Sequence, residues 1–261
     1  MGEPMVALGA NRRNVWQVSQ RAVDLTRPHS APRAVQVQDR GREITLDLAR
    51  TAVVVIDMQN DFCHPEGWLA HIGVDVTPAR APIAAIGQIL PTLRRAEVPV
   101  IWLNWGNRAD RANLAPSTLH VYDSDGRSNG IGAALPTRPD TRVLQKGSWS
   151  AAVVDELEAA PNDIAIDKYA MSGFKDTVLD AVLRNLGITT LLFAGVNSDQ
   201  CVLATLMDAN FHGYDCILLD DCAATTSPDF CHRATLYNIR QCFGFVVNSV
   251  EIKAALEGTN P

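Results

Sequence analysis

The sequence predicts one α/β domain: a three-layer, doubly wound sandwich around a mostly parallel six-stranded sheet. Three observations predict it: continuous apolar runs, amphipathic stretches between them, and glycine or short polar residues at the joins. A parallel strand buried on both faces reads as an unbroken apolar run, and alternation of such runs with helices defines the α/β class.

Ala52-Val53-Val54-Val55-Ile56 is the first strand. Pro82 to Ala96 spaces Ile83, Ile86, Ile89, Leu90 and Leu93 as a helix, with Pro91 expected to bend it. Val98 to Leu103 is the second strand. Residues 104–148 form a long stretch broken by Gly and Pro, and a connection of that length marks a functional loop or lid. Ser150 to Ala159 reads as a short helix, Asp163 to Ile166 as the third strand, and Asp176 to Leu186 as a helix stopped by Gly187. The fourth strand, from Thr189, breaks at Gly195, and Val202 to Asn210 follow with helical spacing. Strand Cys216 to Leu219, a helix from about Asp229 to Cys242 and strand Phe245 to Val247 complete the series. Residues 1–50 lack this alternation. With Pro28, Pro32 and scattered Arg, Gln and Ser, they read as an irregular N-terminal arm that wraps the domain (51–261) or a partner subunit.

Composition narrows the function. The chain has 261 residues, 47% of them hydrophobic, and a net charge of −6, which leaves no basic footprint for nucleic acid. No apolar run approaches the ~20 residues of a membrane span, and the first residues hold no signal-peptide core, so a cytoplasmic protein is expected. The six cysteines include no C-x-x-C pair and the six histidines are scattered, which disfavours both a disulfide scaffold and structural zinc.

Ligands of doubly wound sheets bind beyond the carboxyl ends of the strands. Three such ends carry reactive groups here: Asp57 after the first strand, Asp167-Lys168 after the third, and Cys201 after the glycine turn that closes the fourth. Each has a structural alternative, as turn cap, ion-pair partner or small core residue respectively. Together they make coherent chemistry. A cation lowers the pKa of a neighbouring thiol, the start of a helix favours its thiolate, and a carboxylate accepts its proton. The thiolate attacks a carbonyl, and the carboxylate returns the proton to the departing nitrogen and then activates water.

From about residue 50 to 250 the chain resembles the isochorismatase-like cysteine hydrolases. The resemblance rests on Val55-Ile56-Asp57-Met58-Gln59-Asn60-Asp61-Phe62, Ile166-Asp167-Lys168, Gly195-Val196-Asn197-Ser198-Asp199-Gln200-Cys201-Val202 and Asp221-Cys222-Ala223-Ala224-Thr225, in that order. It implies that Asp57, Lys168 and Cys201 are the family's catalytic triad. It also implies a cis bond at Val196–Asn197 and an oxyanion hole from the N–H groups of Asn197 and Cys201. Nicotinamidase-type members carry an Asp/His metal site just after the second strand, but Asn104-Trp105-Gly106-Asn107-Arg108-Ala109-Asp110 has no histidine. No metal and no cofactor are therefore expected. The isochorismatase branch proper lacks the cysteine, so its presence here points to C–N cleavage.

The substrates that fit are ureides and carbamoyl compounds of the biuret, triuret, ureidoacrylate and N-carbamoylsarcosine kind. Alternatives are an ester or a streptothricin-like lactam, or a non-catalytic binding protein on the same fold. Asn104, Asn107 and Arg108 are candidates to hold substrate oxygens, with a solvated loop charge the alternative for Arg108. Trp105 and Trp149 are candidate pocket walls, with an ordinary core or interface aromatic the alternative for either. Family position makes Phe62 and Phe174 candidate pocket lining, with core packing the alternative, and Gln200 either donates to substrate or caps the helix. Oligomers are common in the family, and a homodimer or homotetramer is the expectation.

Overall fold

The computed structural model describes residues 3–27, 31–127 and 129–258. Its centre is a six-stranded sheet of β6 (Thr51–Ile56), β7 (Val100–Trp105), β8 (Ile164–Lys168), β9 (Thr190–Gly195), β10 (Asp215–Ala223) and β11 (Phe245–Val247). The order is β11-β10-β9-β6-β7-β8, and every pairing is parallel. The two central strands are the most uniformly apolar, as their double coverage demands: every residue of β6 and β9 is buried.

This order places the first strand of the sheet, β6, beside the fourth, β9. The chain winds outward from β6 through β7 to β8, then crosses back to build the other half. A crevice therefore opens where the loops after β6 and β9 part in opposite directions. Asp57 follows β6 and Cys201 follows β9, so topology alone makes them neighbours. Lys168 ends β8, two strands from β6, and must reach ~10 Å across the end of β7 to meet them.

Residues before the sheet are more regular than their composition suggests. β1 (Val6–Asn11), β2 (Asn14–Val18) and β3 (Val23–Asp24) form a small antiparallel sheet. β4 (Ala34–Asp39) and β5 (Arg42–Asp47) form a hairpin through Arg40-Gly41, both at positive φ, the backbone a tight two-residue turn needs. The hairpin buries Val35, Val37 and Leu46 against the domain, and Asp39 accepts hydrogen bonds from Arg240 at 3.0 Å and the Val246 N–H at 3.3 Å. The irregular arm is thus replaced by paired strands. Pro28 lies outside the described residues.

Other boundaries shift for identifiable reasons. The expected helix over 150–159 reduces to a single 3₁₀ turn, Trp149–Ala151. The backbone beyond it bonds to the loop after β6 instead, with the Asn60 N–H on Ala152 O at 2.9 Å and the Val154 N–H on Met58 O at 3.0 Å. β7 runs on to Trp105, so Asn104 and Trp105 belong to the strand and not to the loop. Within the long connection, a helix absent from the sequence reading, Pro116–Tyr122, starts with proline in its first turn. Helix Ile83–Arg95 contains Pro91 in its interior, as expected.

Candidate active site

Asp57, Lys168 and Cys201 meet at the crevice. Lys168 Nζ lies 2.9 Å from Asp57 Oδ2 and 3.3 Å from Cys201 Sγ. All three are shut away from solvent, with exposures of 1% for Asp57, 0% for Lys168 and 4% for Cys201. The ammonium also donates to Ala170 O at 3.2 Å, and the thiol lies 3.5 Å from Met171 Sδ.

The local backbone that presents these groups is unusual at both ends of the crevice. Asp57 has φ of 53°, a left-handed conformation costly for a residue with a side chain. Its N–H is tied to Leu103 O at 3.1 Å, which holds the turn beyond β6 in place. Gly195, at φ of 116°, ends β9 in a contact only glycine permits: a Cβ there would sit 2.0 Å from the Ile56 carbonyl oxygen. Next come the cis peptide Val196–Asn197 and a π-helical turn, Ser198–Val202, that continues into helix Leu203–Phe211. The Asn197 carbonyl accepts from both Gln200 and Val202, at 3.0 and 3.2 Å. The Asn197 N–H donates to no backbone carbonyl among the described residues.

Electrostatics correct one expectation. Burial pushes the Cys201 thiol up to about 12, and the Lys168 ammonium, which acts in the opposite direction, offsets only part of this. The sign of the lysine's influence is as read from the sequence, but desolvation outweighs it. Burial also raises the Asp57 carboxyl, against the attraction of Lys168 and the nearby Cys201 and Trp105 donors. Asp57 Oδ2 faces the Lys168 ammonium at 2.9 Å, and Oδ1 receives no well-aligned hydrogen bond among the described residues, so Oδ1 is the oxygen placed to accept a proton. Losing a proton to solvent would leave the trio with a net negative charge in a dry site. Passing the proton from sulfur to Asp57 leaves the trio neutral overall, so burial opposes that transfer far less.

The remaining sequence candidates divide. Trp105 is in the cluster: its ring centroid lies 4.1 Å from Lys168 Nζ. Asn197 is buried at the mouth, where its side-chain oxygen accepts from the Thr226 N–H at 3.1 Å. Gln200 is exposed and reaches Ser227 at 3.3 Å, bridging the nucleophile turn to the loop after β10. Asn104 pairs in register with Asp167, one residue out of phase with Trp105 and Lys168, so its side chain leaves the opposite face of the sheet. Asn107 is fully buried and stitches the long connection: its N–H and its side-chain amide both donate to Leu144 O, at 2.9 and 3.0 Å. Arg108 is 60% exposed and closes a bidentate pair with Asp110 at 2.8 and 2.6 Å. It is the solvated loop charge of the two alternatives.

Phe62 packs into the apolar core from the short helix Asn60–Cys63. Phe174 stacks on His212 at 5.1 Å, while its neighbour Gly173 donates its N–H to Thr205 Oγ1 at 3.0 Å, one turn beyond Cys201. Trp149 sits under Arg138, 3.9 Å from ring to guanidinium, and edge-on to His64. These positions give the Asn107 amide and the Arg108 guanidinium partners of their own and set Asn104 on the face of β7 opposite Trp105. Among the described residues, no group of three or more His, Cys, Asp or Glu is arranged to hold a metal ion.

Two residues escaped the sequence reading. Tyr122, buried at the end of its unanticipated helix, has its ring 5.1 Å from Trp68 and 5.3 Å from Trp105. Burial, with the Cys201 and Asp57 charges behind it, pushes its phenol well above the ordinary range and keeps it neutral. Gln59 grips the β7 end, accepting from the Trp105 N–H at 2.9 Å and donating to Trp105 O at 2.8 Å. Gln59 lies inside a motif the sequence did expose. For Tyr122 the only signals were Pro116 and the spacing of Leu119 and Tyr122.

A crevice at the switch point of a doubly wound parallel sheet, holding a buried thiol, ammonium and carboxylate, defines the class. The chain belongs to the isochorismatase family: the Isochorismatase domain model matches residues 51–251. It is 34% identical over 236 residues to the ureidoacrylate amidohydrolase RutB of Rhizobium rhizogenes, covering 90% of this chain and 94% of that protein. Among solved structures, a cysteine hydrolase from Pseudomonas syringae pv. phaseolicola superposes with a TM-score of 0.68 at 27% identity, over 82% of this chain and 96% of the other. N-carbamoylsarcosine amidase from Thermoplasma acidophilum superposes at 0.57 with 26% identity, over 77% and 96% respectively.

Proposed function

We propose that this protein is a cysteine amidohydrolase that cleaves a C–N bond of a small ureide, carbamoyl compound or amide through an S-acyl enzyme. The observation that carries the reading is the contact of Lys168 with both Asp57 and Cys201, at 2.9 and 3.3 Å, in a water-excluded crevice. The names of the similar ureidoacrylate amidohydrolase and N-carbamoylsarcosine amidase supply the substrate class.

In this reading Asp57 takes the Sγ proton as the sulfur attacks the substrate carbonyl, and Lys168 stays protonated and steadies the charge as it moves. The S–C bond forms and the carbonyl oxygen becomes an oxyanion, which the N–H groups of Asn197 and Cys201 receive. Protonated Asp57 then gives its proton to the nitrogen, the C–N bond breaks, and ammonia or an amine departs. A water enters, Asp57 removes its proton, and the hydroxide equivalent cleaves the thioester. The thiol regains that proton from Asp57. Every step uses these side chains alone, so turnover is expected to persist in a chelator.

The test is release of ammonia or amine from a panel of ureides, carbamoyl amino acids, primary amides, esters and lactams, with native protein and Cys201→Ala. Chelator-insensitive turnover lost in the variant supports the reading and identifies the substrate. Turnover that survives in Cys201→Ala contradicts it.

A further inference from the structure

Trp105 occupies the place Lys168 must cross. Lys168 pairs in register with Trp105, and its side chain passes over the end of β7 on the way to Asp57 and Cys201. The indole ring fills that gap, with its centroid 4.1 Å from Nζ. A desolvated ammonium above an indole face is held by the ring's quadrupole, so the ring fixes the cation without neutralising it.

The indole nitrogen adds a second observation. Trp105 is 1% exposed, and its Nε1–H has no hydrogen-bond partner among the described residues. Buried indole N–H groups normally find an acceptor, and one left without is costly. This one is locked in place: Gln59 clamps the Trp105 backbone on both sides at 2.9 and 2.8 Å and is itself anchored to Ala151 O at 2.6 Å. Tyr122 closes the ring edge at 5.3 Å. Indole is a donor only, so what it serves must be an acceptor, and the Cys201 sulfur is the group nearby that its side chain influences.

We propose that Trp105 is a catalytic and positioning residue of this site. Its indole N–H is reserved for the sulfur of Cys201 as that sulfur becomes a thiolate, while its ring face holds Lys168 in line. The Trp105 side chain already favours the ionised form of Cys201. Being uncharged, the donor stabilises the thiolate without altering the net charge of the trio. The proposal rests on the reading of Cys201 as nucleophile.

Trp105→Phe tests it, since phenylalanine keeps a smaller aromatic face toward Lys168 and removes the N–H along with the second ring, whose loss the unfolding measurement reads separately. Trp105→Leu removes both. Cys201 alkylation by iodoacetamide is followed across pH by peptide mass mapping, alongside thermal unfolding and, with a substrate from the panel, kcat and KM. Trp105→Phe is expected to unfold cooperatively at a somewhat lower temperature, from the cavity it leaves, and to alkylate at Cys201 about 10- to 100-fold more slowly. The pH onset of alkylation should rise, and kcat should fall with little change in KM. Trp105→Leu should lose more, through a disordered Lys168. Wild-type alkylation and kcat in Trp105→Phe would overturn the proposal, as would a raised KM with unchanged alkylation, which assigns the N–H to substrate. Failure of the nucleophile reading looks different: the native enzyme itself would turn over substrate after Cys201→Ala.

Discussion

Removing the Lys168 charge should unbalance the buried trio in a way a double substitution partly repairs. At 2.9 Å, the attraction between Nζ and Asp57 amounts to about 6 kcal/mol at an effective dielectric of ~20. Most of it offsets the desolvation of two ions with no access to water. Lys168→Met keeps the length and apolar stem but strands the Asp57 carboxylate, and a loss of about 3–5 kcal/mol is expected. Asp57→Asn strands the ammonium, with a loss of similar size. The double variant carries no buried charge at the pair, so its loss should be smaller than the sum of the two by at least ~2 kcal/mol. Urea unfolding of the four proteins at one pH measures this directly, with constant slopes as the check on two-state behaviour. Additive losses, or single variants within ~1 kcal/mol of wild type, would refute the picture of a mutually dependent buried pair.

Three further outcomes are expected. Asp61 is buried and accepts from the Trp68 and Leu144 N–H groups at 3.2 and 2.7 Å, and burial raises its carboxyl from 3.8 to about 6. The unfolded carboxyl ionises first, so this group's stabilisation is complete below about pH 4 and fades as pH rises through about 6, by about 3 kcal/mol in all. Asp61→Asn should flatten the dependence of urea stability on pH between about 3 and about 7, buffer values about one unit outside that interval; an unchanged slope contradicts the assignment. Gly195→Ala forces a Cβ to 2.0 Å from Ile56 O at a φ of 116°, and should cost more than ~3 kcal/mol; a melting temperature within a few degrees of wild type contradicts that contact. Arg108→Ala should leave kcat/KM within about threefold, because the guanidinium is exposed and paired with Asp110; a loss beyond ~10-fold would show that substrate recruits it.

The sheet was legible because its strands are buried on both faces and must be apolar throughout; Val53 to Ile56 is the plainest case. The meeting of Asp57, Lys168 and Cys201 was legible because strand ends and a glycine turn mark where a doubly wound sheet presents its ligands. Substrate contacts were not. Asn104, Asn107 and Arg108 look alike in sequence, but a one-residue change of phase on β7 sends Asn104 to the other face from Trp105. Asn107 spends its amide on Leu144, a residue far along the chain. The β4–β5 hairpin went unread because its polar alternate residues hide the burial of Val35 and Val37, although Arg40-Gly41 was a visible turn. The 150–159 segment has helical composition, yet its Val154 N–H donates to Met58 O and its Ala152 carbonyl accepts from the Asn60 N–H, partners no local pattern encodes. The thiol's pKa depends on how deeply the site is buried, which chain position does not specify.

The most direct test of the central claim is the intact mass of enzyme quenched in acid during turnover of a substrate from the panel, for wild type and Cys201→Ala. The account predicts a mass increase equal to the acyl portion, mapped to the peptide carrying Cys201, and neither adduct nor turnover in the variant. A Cys201→Ala enzyme that still turns over at a rate comparable to wild type would contradict it.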